Sequence, residues 1–183
     1  MKITMVTSNT NKAREVEVYF HGALEVVHVN IDIPEIRSDD VVLIAGSKAG
    51  FAFEQLHTPL IVDDTSFSID ALGGFPGPYA AYVLNTLGNA GILKLMEDKT
   101  NRTARFTTAI AYASDRGVRV FTGALPGQIT HFPKGCEGFG YDPIFDIGGR
   151  TLAELPLEEK SRISHRAKAL ASFHTWFMEE GIS

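Results

Sequence analysis

Asp63 and Asp64, followed by Thr65 and Ser66, close the apolar run Pro59 to Val62. A buried strand that ends on two carboxylates puts negative charge at a strand end, the place where open α/β sheets bind ligands. Adjacent residues on an extended chain face opposite sides, so the two are expected to do different jobs. A Gly/Pro-rich turn, Gly73 to Tyr79, follows.

Three other clusters have comparable chemical potential. Thr7, Ser8, Asn9, Thr10 and Asn11 form a polar loop before Lys12. A strand, a polar loop and a helix start together offer backbone N–H groups and a positive dipole end to an anion, and Lys12 adds a cation suited to phosphate. An ordinary N-capped helix with a solvated lysine fits the same residues. In Gly135 to Pro143, glycines alternate with Phe139 and Tyr141. That spacing either admits a flat ligand against an aromatic ring or builds a tight loop whose aromatics plug the core edge. Ser164 is a helix cap that would put His165 and Arg166 on the first helical turn. Cations there oppose the dipole, which favours an anionic or hydrogen-bonding partner over a solvent-exposed pair.

The elements that must position these groups alternate along the chain. Residues 2–6 are β-prone, and Val16, Tyr19 and Phe20 recur at helical spacing from Lys12 to Phe20, with Glu15 and Glu17 expected outward. Leu24 to Ile33 reads as a strand closed by Pro34, and Ser38-Asp39-Asp40 caps a long helix reaching about His57. Helices are expected at Tyr79–Leu87 and Ala90–Glu97. Ala104–Ala113 and Val118–Gly123 form a hairpin, Gly127–His131 a further short strand, and His165–Glu179 the last helix.

At 183 residues, with 44% apolar and 21% charged residues, the chain suits one globular domain, 1–183. A net charge of −5 gives no basis for nucleic-acid or membrane binding. Cys136 stands alone, which excludes an intrachain disulfide and a cysteine-held zinc. With no signal-peptide core or membrane-length apolar run, a soluble protein of the reducing cytoplasm is expected.

Taken together, Thr7-Ser8-Asn9-x-x-Lys12, Val62-Asp63-Asp64-Thr65 with Ala71 to Tyr79, Phe139-Gly140-Tyr141-Asp142-Pro143-Ile144-Phe145 and Glu159-Lys160-Ser161-x-x-Ser164-His165-Arg166 resemble the inosine triphosphate pyrophosphatase family. These enzymes hydrolyse non-standard purine nucleoside triphosphates. The resemblance covers nearly the whole chain. It implies an α/β fold with an elongated mixed sheet in two lobes, a central nucleotide-binding groove and flanking helices. It also implies hydrolysis of ITP, dITP or XTP to the monophosphate and pyrophosphate with Mg²⁺, and a homodimer. By motif, Thr7 to Lys12 would hold the triphosphate. Asp64 would be metal ligand or general base, Asp63 would help bind metal, and Thr65 would touch substrate. Phe139, Gly140, Tyr141 and Asp142 would stack on and contact the base. Lys160, His165 and Arg166 would read the purine edge, with Ser164 beside them.

The residues fit such chemistry on their own account. A polyphosphate needs cations to neutralise it, a carboxylate to position metal or water, and an in-line water. One departure stands out. Family members carry a metal-binding glutamate five residues before the lysine matched by Lys48, and here that position is Leu43. Asp39 or Asp40, one turn earlier, could replace it. The expectation is weaker or shifted Mg²⁺ binding. The competing readings are a nucleotide-binding module without turnover and a related pyrophosphatase acting on other nucleotides. The Phe139 and Ser164 motifs argue against the latter.

Overall fold

The computed structural model describes residues 2–180. In chain order the elements are β1 (Lys2–Val6), α1 (Thr10–Tyr19), β2 (Glu25–Val29), α2 (Val41–Leu56), β3 (Leu60–Ile69), β4 (Pro76–Gly77), α3 (Ala80–Thr86), α4 (Gly88–Leu95), β5 (Thr103–Ser114), β6 (Gly117–Ile129), β7 (Phe145–Asp146), α5 (Leu157–Ile163) and α6 (His165–Glu179). The strands make one mixed sheet ordered β2-β1-β3-β5-β6-β7, with β4 paired to β3. β1 runs parallel to β2 and β3, and the remaining pairings are antiparallel.

The long strand β3 does not stop at the two carboxylates, as expected, but continues to Ile69. Alternation persists through Phe67 and Ile69, both buried, and β5 pairs with every residue from Leu60 (opposite Ala113) to Ile69 (opposite Ala104). What ends near the carboxylates is β1, whose last partner on β3 is Val62. Asp63 and Asp64 therefore lie just past the carboxyl end of a parallel strand, on a neighbour that carries on beneath the groove. The expected strand Leu24–Ile33 is shorter, because Ile31 and Ile33 leave the sheet to pack on the α2 side. The two strands expected after Val118 are one, β6. β7 covers only Gln128 and Ile129, so at Pro126 the strand is an edge, where a missing N–H is tolerated. The helix α5, which was not expected, starts directly after Pro156.

Three apolar clusters divide the molecule. α1 and α6 pack on one face of the sheet over Ile61, Ile110 and Tyr112, while α2 covers the opposite face over Val62, Ala109 and Ala111. The third cluster lies along the far halves of β3, β5 and β6, where Phe67, Phe106, Leu125 and Phe145 meet α3 and α4. The polar residues Asp63, Asp64, Thr65 and Thr108 occupy the register between the cores, and there the two lobes leave a groove of about 800 Å³.

Candidate active site

Strand alternation separates the two carboxylates. Asp63 faces α1 and α6 and its side chain is fully buried: Lys12 Nζ lies 2.7 Å from Oδ1 and Arg166 Nε 2.7 Å from Oδ2. Lys12 Nζ also donates to the Asp63 carbonyl at 2.9 Å. Burial pushes this carboxyl upward, but Arg166 and Lys12 outweigh it and hold the group well below the usual carboxylate range. Asp63 was expected to help bind metal. In this structure both its oxygens are in ion pairs, and it anchors Lys12 and Arg166.

Asp64 faces α2 and the groove. Lys48 Nζ sits 2.8 Å from its Oδ1 and 2.5 Å from Glu35 Oε1, while Asp64 Oδ2 is buried and has no partner. Burial raises the Asp64 carboxyl above its ordinary value, against the opposing pull of Lys12 and Lys48. An uncompensated oxygen on a carboxyl raised by burial is the signature of a group kept for a ligand or a proton. Thr65 Oγ1 meets Thr108 Oγ1 at 2.8 Å and accepts from Arg166 Nη2 at 3.3 Å.

The phosphate-loop residues divide. Thr7, Ser8, Asn9 and Lys12 line the groove, and Thr10 and Asn11 are exposed outside it. Asn9 caps α1, its Oδ1 accepting from Asn11 N at 3.0 Å and Lys12 N at 3.2 Å, so two of the expected anion-binding N–H groups are held by the cap.

At the other end, Phe139, Gly140, Tyr141, Asp142, Lys160, His165 and Arg166 all line the groove. Tyr141 is a buried core residue whose hydroxyl donates to Ala80 O at 2.7 Å and whose ring stacks on Phe67, leaving Phe139 as the half-buried ring open to a base. Lys160 Nζ lies 4.7 Å from the Phe139 centroid and Arg166 Cζ 5.9 Å from it. Asp142 accepts from Phe139 N at 2.8 Å and from Lys160 Nζ at 2.5 Å. Gly138 permits this fold-back, since a Cβ there would meet Asp142 Oδ2 at 2.1 Å. His165 stacks on Phe106 (4.5 Å, 14°), and burial, then Arg166 and Lys160, push its pKa well below the ordinary value. It is therefore a neutral imidazole, and its Nδ1 is buried without a partner. Ser164 does not line the groove; its Oγ accepts from Ala167 N at 3.1 Å, so it caps α6. α6 reaches the sheet closely enough to present His165 and Arg166 because Gly123 of β6 lies beneath it: a Cβ there would stand 2.2 Å from His165 O.

The structure also brings Glu15 and Glu35 into the ion pairs around the groove. Glu15 does not face outward. It is 3% exposed, pairs with Lys160 at 2.6 Å through Oε1 and accepts from Arg166 Nη1 through Oε2. Leu43 is 58% exposed and does not line the groove. Asp39 and Asp40 are exposed as well, and Asp40 Oδ1 caps α2 through Val42 N at 2.8 Å. The residues the sequence reading passed over are Glu15 and Glu35. No local signal marked either: Glu15 pairs with Lys160 and Arg166, distant in the chain, and not with Lys12 three residues before it, and Glu35 lies on an irregular segment.

A sequence profile described as the Ham1 family matches residues 3–176. The chain belongs to the Ham1 family. It is 46% identical over 181 residues to a dITP/XTP pyrophosphatase of Methanopyrus kandleri, covering 97% of this chain and 96% of that protein. It is 43% identical over 180 residues to inosine triphosphate pyrophosphatase 1 of Trypanosoma cruzi, covering 96% and 92%. The solved Ham1 protein of Staphylococcus aureus superposes with a TM-score of 0.84 at 30% identity, over 98% of this chain and all of that one. The Ham1 fold is thus the mixed α/β sheet with its groove, as the four motifs imply.

Proposed function

We propose that this Ham1 chain is a nucleoside triphosphate pyrophosphatase that hydrolyses dITP, ITP and XTP to the monophosphate and pyrophosphate. The observation that carries this is the pairing of an under-satisfied carboxylate, Asp64, with a base-reading end built from Phe139, Lys160 and His165 at the far end of one groove. Relatives bearing these activities in their names match over nearly their whole length, which supports turnover over a binding-only module.

Lys12 and Lys48 neutralise phosphate charge. Asp64, raised by burial, would take the proton from the attacking water, and it is one of the residues that would hold a metal. Hypoxanthine and xanthine present a 6-keto oxygen that accepts from Lys160 or Arg166. The adenine 6-amino group would leave those donors unpaired, at about 1–3 kcal/mol each.

Mg²⁺ is the proposed cofactor. Among the described residues no cluster of three metal-ligating side chains exists, so the protein's share would be Asp64 and Glu35, the two carboxylates that Lys48 bridges here. Mg²⁺ commonly takes one or two carboxylates and completes its shell with phosphate oxygens and waters. Bound there, it would neutralise the polyphosphate and orient the leaving group.

The proposal extends to a homodimer, since Phe75, Tyr82 and Leu87 are exposed apolar side chains, and to a reducing cytoplasm, which suits the exposed free thiol of Cys136. Among the described residues no helix is long and apolar enough to cross a membrane. Nucleic acid is not a proposed partner, in line with the net charge of −5.

The test is pyrophosphate release from ITP, XTP, GTP and ATP with Mg²⁺, scored as kcat/KM, for wild type and Asp64→Asn. High rates for ITP and XTP that vanish in the variant are expected. Equal rates on all four substrates refute the selectivity, and no turnover by the wild type refutes the activity.

A further inference from the structure

The phosphate loop starts where the ladder around β1 frays. β1 pairs with β2 as far as Val6 opposite Val29, and with β3 as far as Val6 opposite Val62. Thr7 continues the strand by one residue, its N–H donating to Val29 O at 3.1 Å. In a continued parallel ladder the Thr7 carbonyl would accept from the N–H of Ile31. β2 has already ended, and Ile31 packs on the α2 side. A side chain stands in: His28 Nε2 lies 2.5 Å from Thr7 O, and since a carbonyl only accepts, that nitrogen carries the proton. The Thr7–Ser8 peptide is trans, so its N–H points opposite to its C=O. With the C=O held toward β2, the Ser8 N–H is turned to the β3 side of β1, and Ser8 lines the groove. The acceptor that a continued ladder would give it, Asp63 O, is taken by Lys12 Nζ at 2.9 Å. Among the described residues the Ser8 N–H has no partner, whereas those of Asn9, Asn11 and Lys12 are held by Thr7 Oγ1 and Asn9 Oδ1.

We propose that His28 is a positioning residue of the phosphate loop: by holding the Thr7 carbonyl on the β2 side, it keeps the Ser8 N–H turned into the groove as a fixed donor for a phosphate oxygen. The inference rests on the reading of the groove as a triphosphate site. Without the imidazole the Thr7 carbonyl has no partner, and the peptide can turn. Its N–H must then be re-oriented each time an anion binds, whereas a donor already aimed avoids that cost. The gain is largest for a charged acceptor, because an N–H bond to an anionic oxygen is stronger than one to a neutral oxygen. His28 itself is exposed and does not line the groove, so it acts only through Thr7 and Ser8. The base-reading end, carried by other elements, is independent of it.

The experiment titrates wild type, His28→Ala, His28→Gln and the exposed control His21→Ala with inorganic triphosphate and Mg²⁺ in a calorimeter. Turnover of ITP and ATP and thermal melting are followed alongside. Expected for His28→Ala is triphosphate binding weakened by about tenfold, with a matching rise in KM for both nucleotides and kcat changed much less. The ITP:ATP ratio of kcat/KM should stay within about twofold of wild type, since the base end is untouched. Glutamine carries no charge but brings a side-chain N–H toward the same carbonyl, so His28→Gln should recover most of the loss. His21→Ala should match wild type. Unchanged triphosphate affinity in His28→Ala, or a loss that His28→Gln does not reduce, overturns the proposal. A His28→Ala variant that does not fold overturns it as well, because the tie is then structural. If wild type binds inorganic triphosphate but does not turn over ITP, the proposed activity fails and the binding arm still decides the role of His28. If wild type does not bind triphosphate, both fall.

Discussion

Asp63 and Asp64 are neighbours of one type, yet their asparagine variants should fail differently. Asparagine is nearly isosteric, so no cavity is made and the effect is electrostatic. Asp63→Asn leaves Lys12 and Arg166 facing a neutral amide in a site where the Arg166 side chain is 2% exposed. Removing one partner of a buried ion pair costs about 3–5 kcal/mol, and because Arg166 keeps Glu15 the lower end, ~3 kcal/mol, applies. For a chain of this size that is a fall in Tm of roughly 6–12 °C. The pH sign follows from the carboxyl being held well below its usual range. Its contribution is present at neutral pH, above the unfolded-state value of about 3.9, and is lost as pH falls toward the folded value. The gap between wild type and Asp63→Asn should therefore be widest near neutrality and close in acid. Asp64 is the reverse case. Its carboxyl is raised by burial, so its ionisation opposes folding and the contribution is lost as pH rises. Asp64→Asn should melt at or above wild type near neutral pH while kcat falls by about a hundredfold or more. Melts followed by circular dichroism between acid and neutral pH, with pyrophosphate release in parallel, measure both. The division of roles is refuted if Asp63→Asn melts within about 2 °C of wild type, or if Asp64→Asn loses more stability than Asp63→Asn.

Gly123→Ala would set a methyl group against the backbone of α6, 2.2 Å from His165 O and 2.4 Å from Ala169 N, so urea unfolding should show a loss of about 1–3 kcal/mol and KM should rise as His165 and Arg166 shift. Lys48→Met removes one of the two cations that restrain Asp64, the other being Lys12, so the acid limb of the kcat/KM profile should move to higher pH; an unmoved limb would show that Asp64 does not govern it. Leu43→Glu should leave the Mg²⁺ dependence of turnover unchanged because position 43 lies outside the groove, whereas Glu35→Gln should raise the Mg²⁺ needed for half-maximal rate.

Much of this fold was legible because it rests on local rules. Ser164, Asn9 and Asp40 are caps in sequence and in structure, and the apolar faces of α1 and α6 follow helical spacing. The site was legible in its parts: opposed carboxylates on one strand follow from alternation alone. What the sequence did not disclose depends on partners distant in the chain. Glu15 looks like any helix-edge glutamate until Lys160 and Arg166 arrive from α5 and the start of α6 to neutralise it. β3 looks finished at Asp64 because charge usually marks a strand end. It continues because β5 supplies hydrogen bonds along its full length. Spacing along a helix does not say that Leu43 faces solvent and not the groove, and Glu35, on an irregular segment, has no periodicity to reveal it.

The charges around the groove carry a last consequence. Lys12, Lys48, Lys160 and Arg166 stand against Glu15, Glu35, Asp63, Asp64 and Asp142, so the carboxylates outnumber the cations. A site in that balance has little net attraction for a triphosphate, and its cations are already paired. Lys12 can exchange Asp63 for a phosphate oxygen, but Asp64 and Glu35 would still repel the polyanion. A divalent cation between them would turn that repulsion into a bridge. Nucleotide and Mg²⁺ should therefore raise each other's affinity by the same factor, as linkage requires. Calorimetric titration of Glu35→Gln and wild type with a non-hydrolysable ITP analogue, at several Mg²⁺ concentrations, reads this directly. Wild type should bind the analogue weakly without Mg²⁺ and more tightly as Mg²⁺ rises, with a shallower gain in the variant. Affinity independent of Mg²⁺ would mean that the paired cations open on their own to receive the triphosphate, and that the excess of carboxylates has no part in binding.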